Sequence, residues 1–328
     1  MNVGFFVRQF TERGTEISAY DYAHYNETIL GNKSFIICFT EEAQQRNCHV
    51  GDRVSFPKFE SRFPILQIND IPEMKEIISK CSLDFFYTQT YGAEDLYQFE
   101  NSMLWGSCKT IKHCVFNTTC PESNFYISIS NCLNVRFGTN VPVIPCIVQL
   151  PECNENLRSL LGIPADATVI GRHGAKDTFD IPMAHDAIQE FLLNNSNTYF
   201  LFMNTDRFHY HPKIIYLDPT LDSIEKTKFI NTCDAMIHAR SNGETFGLAV
   251  AEFSLKNKPV ITCRVGDTEH LHILGDKAII YNSKDELVNI FKNIRDIIKM
   301  KDDWNAYKDF RPENVMKMFK DMIFTQGA

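Results

Sequence analysis

Residues 235–252 read Ala-Met-Ile-His-Ala-Arg-Ser-Asn-Gly-Glu-Thr-Phe-Gly-Leu-Ala-Val-Ala-Glu. The first five residues form a short, mainly apolar run, which is typical of a buried strand in a parallel sheet. A turn of Ser, Asn and Gly follows, and then a helix-forming run from Gly247 to Lys256. A strand, a turn of small residues and a helix in this order predict an anion-binding site at the start of the helix.

The start of this helix is suited to a diphosphate. The first backbone N–H groups of a helix have no intrahelical partner, and the helix dipole adds about half a positive charge there. We expect the amides of Phe246, Gly247 and Leu248 to hold the phosphates.

Two glutamates flank the predicted anion site. Glu244 precedes the helix, and Glu252 lies roughly 8 to 12 Å along it at about 1.5 Å per residue. Together they could hold the two hydroxylated ends of a nucleoside diphosphate sugar. The alternative is that Glu244 only complements the helix dipole and that Glu252 is a solvated helix residue.

The spacing of these residues resembles the donor-binding signature of retaining GT-B glycosyltransferases, in particular glycosyltransferase family 4. The shared pattern is Ser-x-x-Glu-x-Phe-Gly-Leu, three residues, Glu-Phe, and then Lys-Pro-Val-Ile-Thr with the glycine-containing turn 266–269. The resemblance implies that Glu244 positions the donor sugar and Glu252 the ribose. Ser241 and Thr245, in the same turn, are assigned to the donor site with them.

The resemblance also implies the fold and the domain order. We expect two facing Rossmann-like, doubly wound α/β domains with a cleft between them, at residues 1–150 on the acceptor side and 151–301 on the donor side. A helical segment at residues 302–328 is expected to cross back onto the first domain. The N-terminal half is the weaker match to the family.

A basic segment follows the first strand of the second half, Gly171-Arg172-His173-Gly174-Ala175-Lys176. The resemblance implies that Arg172 and Lys176 neutralise the donor diphosphate. The family places the lysine five residues after the arginine and this chain places it four after, so Lys176 could also be a surface lysine. His173 is a further candidate for a phosphate or sugar contact.

Three residues of the first half match family positions near the donor. Gly14 and Thr15 match a glycine-containing loop under the donor, although a tight strand-to-helix turn explains Gly14 equally well. His113 lies where family members often carry a histidine that faces the donor sugar. A structural histidine in a strand is its alternative.

Composition excludes several classes of protein. The net charge of −8 over 328 residues argues against a nucleic-acid partner, and no segment approaches the ~18 apolar residues of a membrane span. We therefore expect a cytoplasmic protein, compatible with peripheral membrane contact. Eleven cysteines without Cys-x-x-Cys spacing indicate reduced thiols.

Short strands alternate with helices along the whole chain, which predicts parallel sheets. Strands are expected at 3–7, 33–39, 54–56, 83–87 and 109–116, with 143–150 closing the first half, and then at 169–171, 199–203, 213–217, 235–239, 260–264 and 278–281. Pro312 is expected to divide the last segment into two helices.

No Asp-x-Asp triplet occurs, so we predict a metal-independent enzyme without a cofactor, in which amides and cations hold the diphosphate. The predicted activity is sugar transfer from a UDP- or GDP-linked donor, with retention, to a hydroxyl of a glycan, glycolipid or glycoprotein. Two alternatives remain open: a GT-B sugar-nucleotide epimerase, and a nucleotide-sugar binding protein without catalytic activity.

Overall fold

The computed structural model describes residues 1–48, 53–194 and 197–325. The chain divides into two compact units. Unit 1 contains residues 1–147 and the C-terminal segment from residue 310, and unit 2 contains residues 148–309.

Unit 1 is built on a parallel six-stranded sheet with the order β3-β2-β1-β4-β5-β6. Its strands are β1 (Asn2–Phe6), β2 (Lys33–Phe39), β3 (Ile65–Ile68), β4 (Phe85–Thr90), β5 (Lys109–Cys114) and β6 (Phe125–Ser128). Its helices are α1 (Gly14–Thr28), α2 (Glu41–Asn47), α3 (Phe56–Glu60), α4 (Met74–Cys81), α5 (Ser102–Trp105) and α6 (Asn131–Phe137). Apolar residues fill both faces of the central strands, as expected when helices cover a parallel sheet on both sides.

Unit 2 has a second parallel six-stranded sheet, with the order β14-β12-β10-β7-β8-β9. Its strands are β7 (Thr168–His173), β8 (Thr198–Met203), β9 (Ile214–Leu217), β10 (Ala235–Ile237), β12 (Val260–Thr262) and β14 (Ala278–Ile280), and a separate short pair joins β11 (Gly243–Glu244) to β13 (Asp267–Thr268). Its helices are α7 (Pro182–Leu193), α8 (Ser223–Thr232), α9 (Leu248–Leu255), α10 (Glu269–Leu274) and α11 (Lys284–Ile298).

The C-terminal segment completes the core of unit 1. Helix α12 (Pro312–Phe319) continues as one π-helical turn, Lys320–Phe324. Its apolar face, which includes Val315, Met316 and Phe319, belongs to the same buried cluster as β1, β4 and α1. The prediction that Pro312 divides this segment into two helices is wrong, because Pro312 is the first residue of α12, a position at which its missing N–H costs nothing. Within residues 302–311 only a 3₁₀ turn, Lys308–Phe310, precedes it.

The prediction of parallel α/β sheets is confirmed, whereas two predicted strands, at 54–56 and 143–150, are wrong. Residues 54–56 form no strand, because Pro57 supplies the preset backbone of a helix start, and α3 begins at Phe56. The third strand of the sheet is Ile65–Ile68 instead. Residues 143–150 add only an isolated bridge between Val143 and Ser128, and the sixth strand, Phe125–Ser128, was not predicted.

Candidate functional site

The start of α9 is organised by a glycine. Gly247 is the N-cap with φ 84° and ψ 64°, a left-handed conformation that favours glycine, and no side chain of the described residues caps this end. A Cβ added there would lie 3.3 Å from Glu244 Cβ and 3.4 Å from His270 Cβ. The first helical N–H groups have no intrahelical acceptor, so this end is suited to an anion.

The turn before α9 is fixed by backbone pairing and by Asp180. Gly243 has φ 64°, and an added Cβ would lie 2.1 Å from the carbonyl oxygen of Asp267. Its strand β11 pairs with β13. The carboxylate of Asp180 accepts hydrogen bonds from the Ser241 amide, at 2.7 Å, and from the Ser241 hydroxyl. The predicted binding residue Ser241 therefore anchors the turn, and its hydroxyl already has a protein partner.

Glu244 is an ionised carboxylate beside the start of α9. Its side chain is 17% exposed, His238 Nε2 lies 3.2 Å from Oε1, and an Arg240 guanidinium nitrogen donates to Oε2 at 2.9 Å. Burial alone would raise the pKa of Glu244, but the hydrogen bond from His238 and the charge of Arg240 outweigh burial and hold the pKa below its usual range. The carboxylate can therefore only accept hydrogen bonds at neutral pH.

Glu252 is buried on α9, at 6% exposure. The Lys226 ammonium pairs with Oε1, and His173 Nε2 lies 3.0 Å from Oε2. Burial disfavours the charged form, but Lys226 and His173 together lower the pKa of Glu252 to about 2. The alternative of a solvated helix residue is therefore wrong. Each oxygen already has one protein partner, although a carboxylate offers about four acceptor sites.

The Arg172 guanidinium holds two loops together. It donates to the carbonyl oxygens of Asn204, at 3.2 Å, and Ala175, at 2.9 Å, and it also bonds the hydroxyls of Thr205 and Thr178. Burial lowers its pKa to about 10, and the charge of Glu244 partly opposes this. Arg172 thus remains charged within electrostatic range of Glu244, but much of its donor capacity is used by the protein.

Lys176 lies at the surface. Its side chain is 72% exposed and its ammonium is 3.4 Å from Asp206 Oδ1. This position matches the alternative of a surface lysine, and a contact with the diphosphate stays a prediction.

Phe246, at one of the predicted phosphate-binding amides, packs its side chain inward. The Phe246 ring meets the Tyr307 ring edge-on at 5.6 Å, and the Tyr307 hydroxyl donates to the Phe246 carbonyl at 3.0 Å. Thr245 is also buried, and Leu248 opens the helix at intermediate exposure. These residues fix the backbone of the helix start from within unit 2.

The remaining predicted residues belong to unit 1. Gly14 and Thr15 are the first two residues of α1, and Gly14 is exposed. His113 is fully buried, with Nδ1 2.8 Å from the Tyr87 hydroxyl and Nε2 2.8 Å from the Ile144 carbonyl. Burial lowers its pKa to about 4. Both nitrogens are occupied, so His113 is a structural residue here and is left out of the proposed site.

Several residues around the two glutamates were not predicted from the sequence. Lys226 lies on α8, a helix that carries no motif, and His238 and Arg240 lie within residues 235–252 but outside the motif pattern. Two further residues behind His238, Thr262 and His270, come from β12 and α10. His238 and Thr262 lie at or just after the ends of strands, which is the signal that the sequence offers for them, whereas Lys226 and His270 lie on helices and carry no such signal.

Within the described ranges, no group of three or more His, Cys, Asp and Glu side chains could hold a metal ion. None of the helices in those ranges is both long and apolar enough to cross a membrane.

Comparisons with known proteins match structure and not sequence. No family model matches the chain, and no curated protein matches it. A glycosyltransferase from Rickettsia africae is similar in structure, with TM-score 0.70 and 16% identity over 98% of both chains. Anabaena Alr3699/HepE, solved in complex with UDP and glucose, has TM-score 0.69 and 15% identity over all of both chains.

A structure described as a UDP-N-acetylglucosamine 2-epimerase from Listeria monocytogenes is also similar, with TM-score 0.60 and 13% identity over 98% of this chain and 96% of that one. At such low identity these likenesses establish the fold alone. The chain has two six-stranded parallel sheets and is matched over at least 98% of its length by the Rickettsia glycosyltransferase and by HepE, so it has the GT-B fold that the sequence predicted.

Proposed function

We propose that this protein is a glycosyltransferase that moves a sugar from a nucleoside diphosphate donor to an acceptor hydroxyl with retention, as in family 4, and without a metal ion. The observation that carries the proposal is the start of α9. It is a helix end uncapped by side chains of the described residues, and it is flanked by two largely buried carboxylates, Glu244 and Glu252, which pair with Arg240 and Lys226.

The parts of the donor are assigned by their chemistry. The diphosphate binds at the α9 amides, where the helix dipole favours negative charge. Glu244 accepts hydrogen bonds from hydroxyls of the sugar, and Glu252 from those of the ribose. The partners of the two carboxylates keep both charged, so each can bind a group that donates a hydrogen bond.

The chemical step breaks the bond between the anomeric carbon and the diphosphate oxygen and forms a bond to the acceptor oxygen on the same face. The acceptor proton passes to the departing diphosphate. Negative charge develops on that diphosphate, and preorganised amides together with the nearby charge of Arg172 stabilise it. Lys176 would add to this stabilisation if it turned towards the donor.

Acceptor recognition is proposed for unit 1, and Gly14 and Thr15 at the start of α1 stay predicted donor contacts. The expected acceptor is a glycan, glycolipid or glycoprotein, and the expected location is the cytoplasm. The UDP complex of HepE supports a UDP-linked donor as the first to test, with GDP-linked donors next.

Donor binding can be tested by a thermal-shift panel of UDP-, GDP- and ADP-sugars. A ligand at a hundred times its Kd should stabilise the protein by about 2.7 kcal/mol. Glu244→Ala should bring the affinity for the sugar nucleotide close to that for the bare diphosphate. An unchanged preference between these two ligands would remove Glu244 from the sugar site.

The resemblance to a structure described as an epimerase favours one second candidate. An epimerase would turn over a nucleotide sugar without an acceptor, whereas the proposed transferase releases nucleoside diphosphate only when acceptor is added. A binding protein without activity would release none in either case. Measuring diphosphate release with and without a panel of acceptors separates the three.

A further inference from the structure

A chain of three hydrogen bonds runs from Glu244 into the interior of unit 2. Glu244 Oε1 lies 3.2 Å from His238 Nε2, and His238 Nδ1 lies 2.9 Å from Thr262 Oγ1. Thr262 Oγ1 in turn lies 3.1 Å from His270 Nε2. His238, Thr262 and His270 are all buried. We call these three residues the relay.

The backbone around the relay is firmly held. His238 follows β10, and its carbonyl accepts a hydrogen bond from the buried Tyr281 hydroxyl at 3.1 Å. Thr262 is the last residue of β12, and His270 is the second residue of α10. The rings of His238 and His270 are 4.7 Å apart. Three separate elements therefore converge behind one carboxylate.

The ionised carboxylate sets the direction of these bonds. Because it can only accept, His238 Nε2 must carry the hydrogen. The Nδ1 atom of a neutral His238 is then an acceptor, so the Thr262 hydroxyl donates to it. The oxygen of Thr262 is left to accept from His270 Nε2–H. This places a bare acceptor at His270 Nδ1.

The opposite assignment makes His238 a charged imidazolium. Thr262 would then accept from His238 and donate to His270, which would carry its hydrogen on Nδ1. Among the described residues, His270 Nδ1 has no hydrogen-bond partner. A buried N–H donor without a partner is rarer than a bare acceptor, which favours the neutral relay.

We propose that Thr262 and His270 lock the tautomer of His238, and that His238 is a positioning residue which holds Glu244 as a pure acceptor for a hydroxyl of the donor sugar. The role in binding rests on the proposed function, since it needs Glu244 at the sugar. The relay itself does not. Because Glu244 offers only acceptor sites, a sugar whose facing hydroxyl is removed or methylated should bind as weakly as the bare diphosphate.

The relay can be tested without any ligand. The full-length protein labelled with ¹⁵N in its ten histidines can be measured by long-range ¹H–¹⁵N NMR at pH 7.5, with the signals assigned through His238→Gln and His270→Gln. We expect neutral Nε2–H tautomers for both histidines. An imidazolium at His238, or an Nδ1–H tautomer at His270, would overturn the relay.

The positioning role is tested by His238→Gln and His238→Leu. A glutamine amide can donate to Glu244 and a leucine cannot. We expect His238→Leu to weaken binding of UDP-glucose, or of the best ligand in the donor panel, by about tenfold or more, about 1.4 kcal/mol. Binding of the same nucleoside diphosphate without its sugar should change less than about threefold in His238→Leu. His238→Gln should recover most of the lost affinity for the sugar nucleotide.

Failure of this proposal is distinct from failure of the proposed function. If the wild type binds no nucleotide sugar, both the proposed function and the positioning role of His238 are refuted. The NMR measurement still tests the hydrogen-bond directions within the relay. If both ligands weaken equally in a folded His238→Leu, or if glutamine recovers nothing, His238 is structural only. If His238→Leu does not fold, Thr262→Val takes its place. It should weaken binding of the sugar nucleotide more than binding of the nucleoside diphosphate without its sugar.

Discussion

Lys226 and Glu252 form a largely buried ion pair, and its energetics differ from those of a surface pair. The two side chains are 15% and 8% exposed. Removing one partner leaves a buried charge uncompensated, which typically costs about 3–5 kcal/mol. We therefore expect Lys226→Ala to lower the free energy of unfolding of unit 2 by about 3 kcal/mol, measured by urea denaturation.

A matched control is Lys176→Ala, which removes the lysine of the exposed pair with Asp206. Exposed pairs contribute at most about 1 kcal/mol, so this change should have a small effect. The double variant Lys226→Met with Glu252→Gln should regain part of the lost stability, because no charge stays buried alone. A loss from Lys226→Ala no larger than the control's would contradict this view of the pair.

Glu16 is a buried carboxyl in the first turn of α1, and burial is the largest influence on its pKa. Its side chain is 4% exposed, Thr11 donates to it at 3.0 Å, and burial raises its pKa to about 7. A folded-state pKa above the unfolded value means that the folded state binds the proton more tightly. Stability is therefore lost as pH rises through about 7 and is retained at lower pH.

We expect Glu16→Gln to be more stable than the wild type at pH 8, by up to about 3 kcal/mol at 1.36 kcal/mol per pKa unit. The difference should shrink as pH falls to 5. Unfolding free energies measured across this range check it. Glu60→Gln, the same substitution at an exposed position, controls for the loss of a charge. A difference that grows towards acid pH would show that the sign is wrong.

At the scale of elements, the start of α9 depends on one left-handed residue. A residue with a Cβ in this conformation costs about 1–2 kcal/mol. Gly247→Ala pays this cost and also brings its Cβ against Glu244 and His270. We expect it to lower Tm and to weaken binding of the nucleotide sugar by about tenfold, measured by calorimetry.

Gly138→Ala is the matched control. Gly138 is also left-handed, with φ 64° and ψ 33°, but its added Cβ meets nothing within 4 Å. It should lower Tm by a similar amount and leave ligand binding unchanged. Equal loss of binding in both variants would mean that the helix start is not where the ligand sits.

The sequence predicted most elements of unit 2 because its buried strands are short apolar runs bounded by turn residues. It missed β3 and β6 in unit 1, whose residues are partly exposed and lack such a contrast. Spacing along one loop identified Glu244 and Glu252. The relay could not be predicted, because Thr262 and His270 meet His238 only through the order of strands in the sheet. Likewise, no local sequence pattern distinguishes a buried, structural His113 from a histidine that contacts the donor sugar.

For the whole molecule, the C-terminal helix is part of the core of unit 1. Phe319 is fully buried, with its ring 5.3 Å from that of Tyr22 and 5.8 Å from that of Tyr87. Large-to-small changes at buried aromatic positions cost about 3–5 kcal/mol. Phe319→Ala should therefore destabilise unit 1, seen as faster hydrogen exchange in β1 and β4.

Met318→Ala, on the same helix, is the control, since Met318 is 41% exposed. It should change stability by less than about 1 kcal/mol. Hydrogen exchange in β7 and β10 of unit 2 should stay as in the wild type in both variants. Equal acceleration in unit 2 would show that the two units unfold together.

Unit 1 is built from two separate segments of the chain, and this has a consequence during synthesis. A ribosome makes the six strands of this sheet first, then all of residues 148–309, and only afterwards the helix that covers the exposed aromatic rings. The nascent sheet must therefore wait, with apolar surface uncovered, through the translation of an entire second unit. Chaperones that bind hydrophobic surface should occupy this chain until α12 emerges from the ribosome, and chains truncated before α12 should be degraded by proteases.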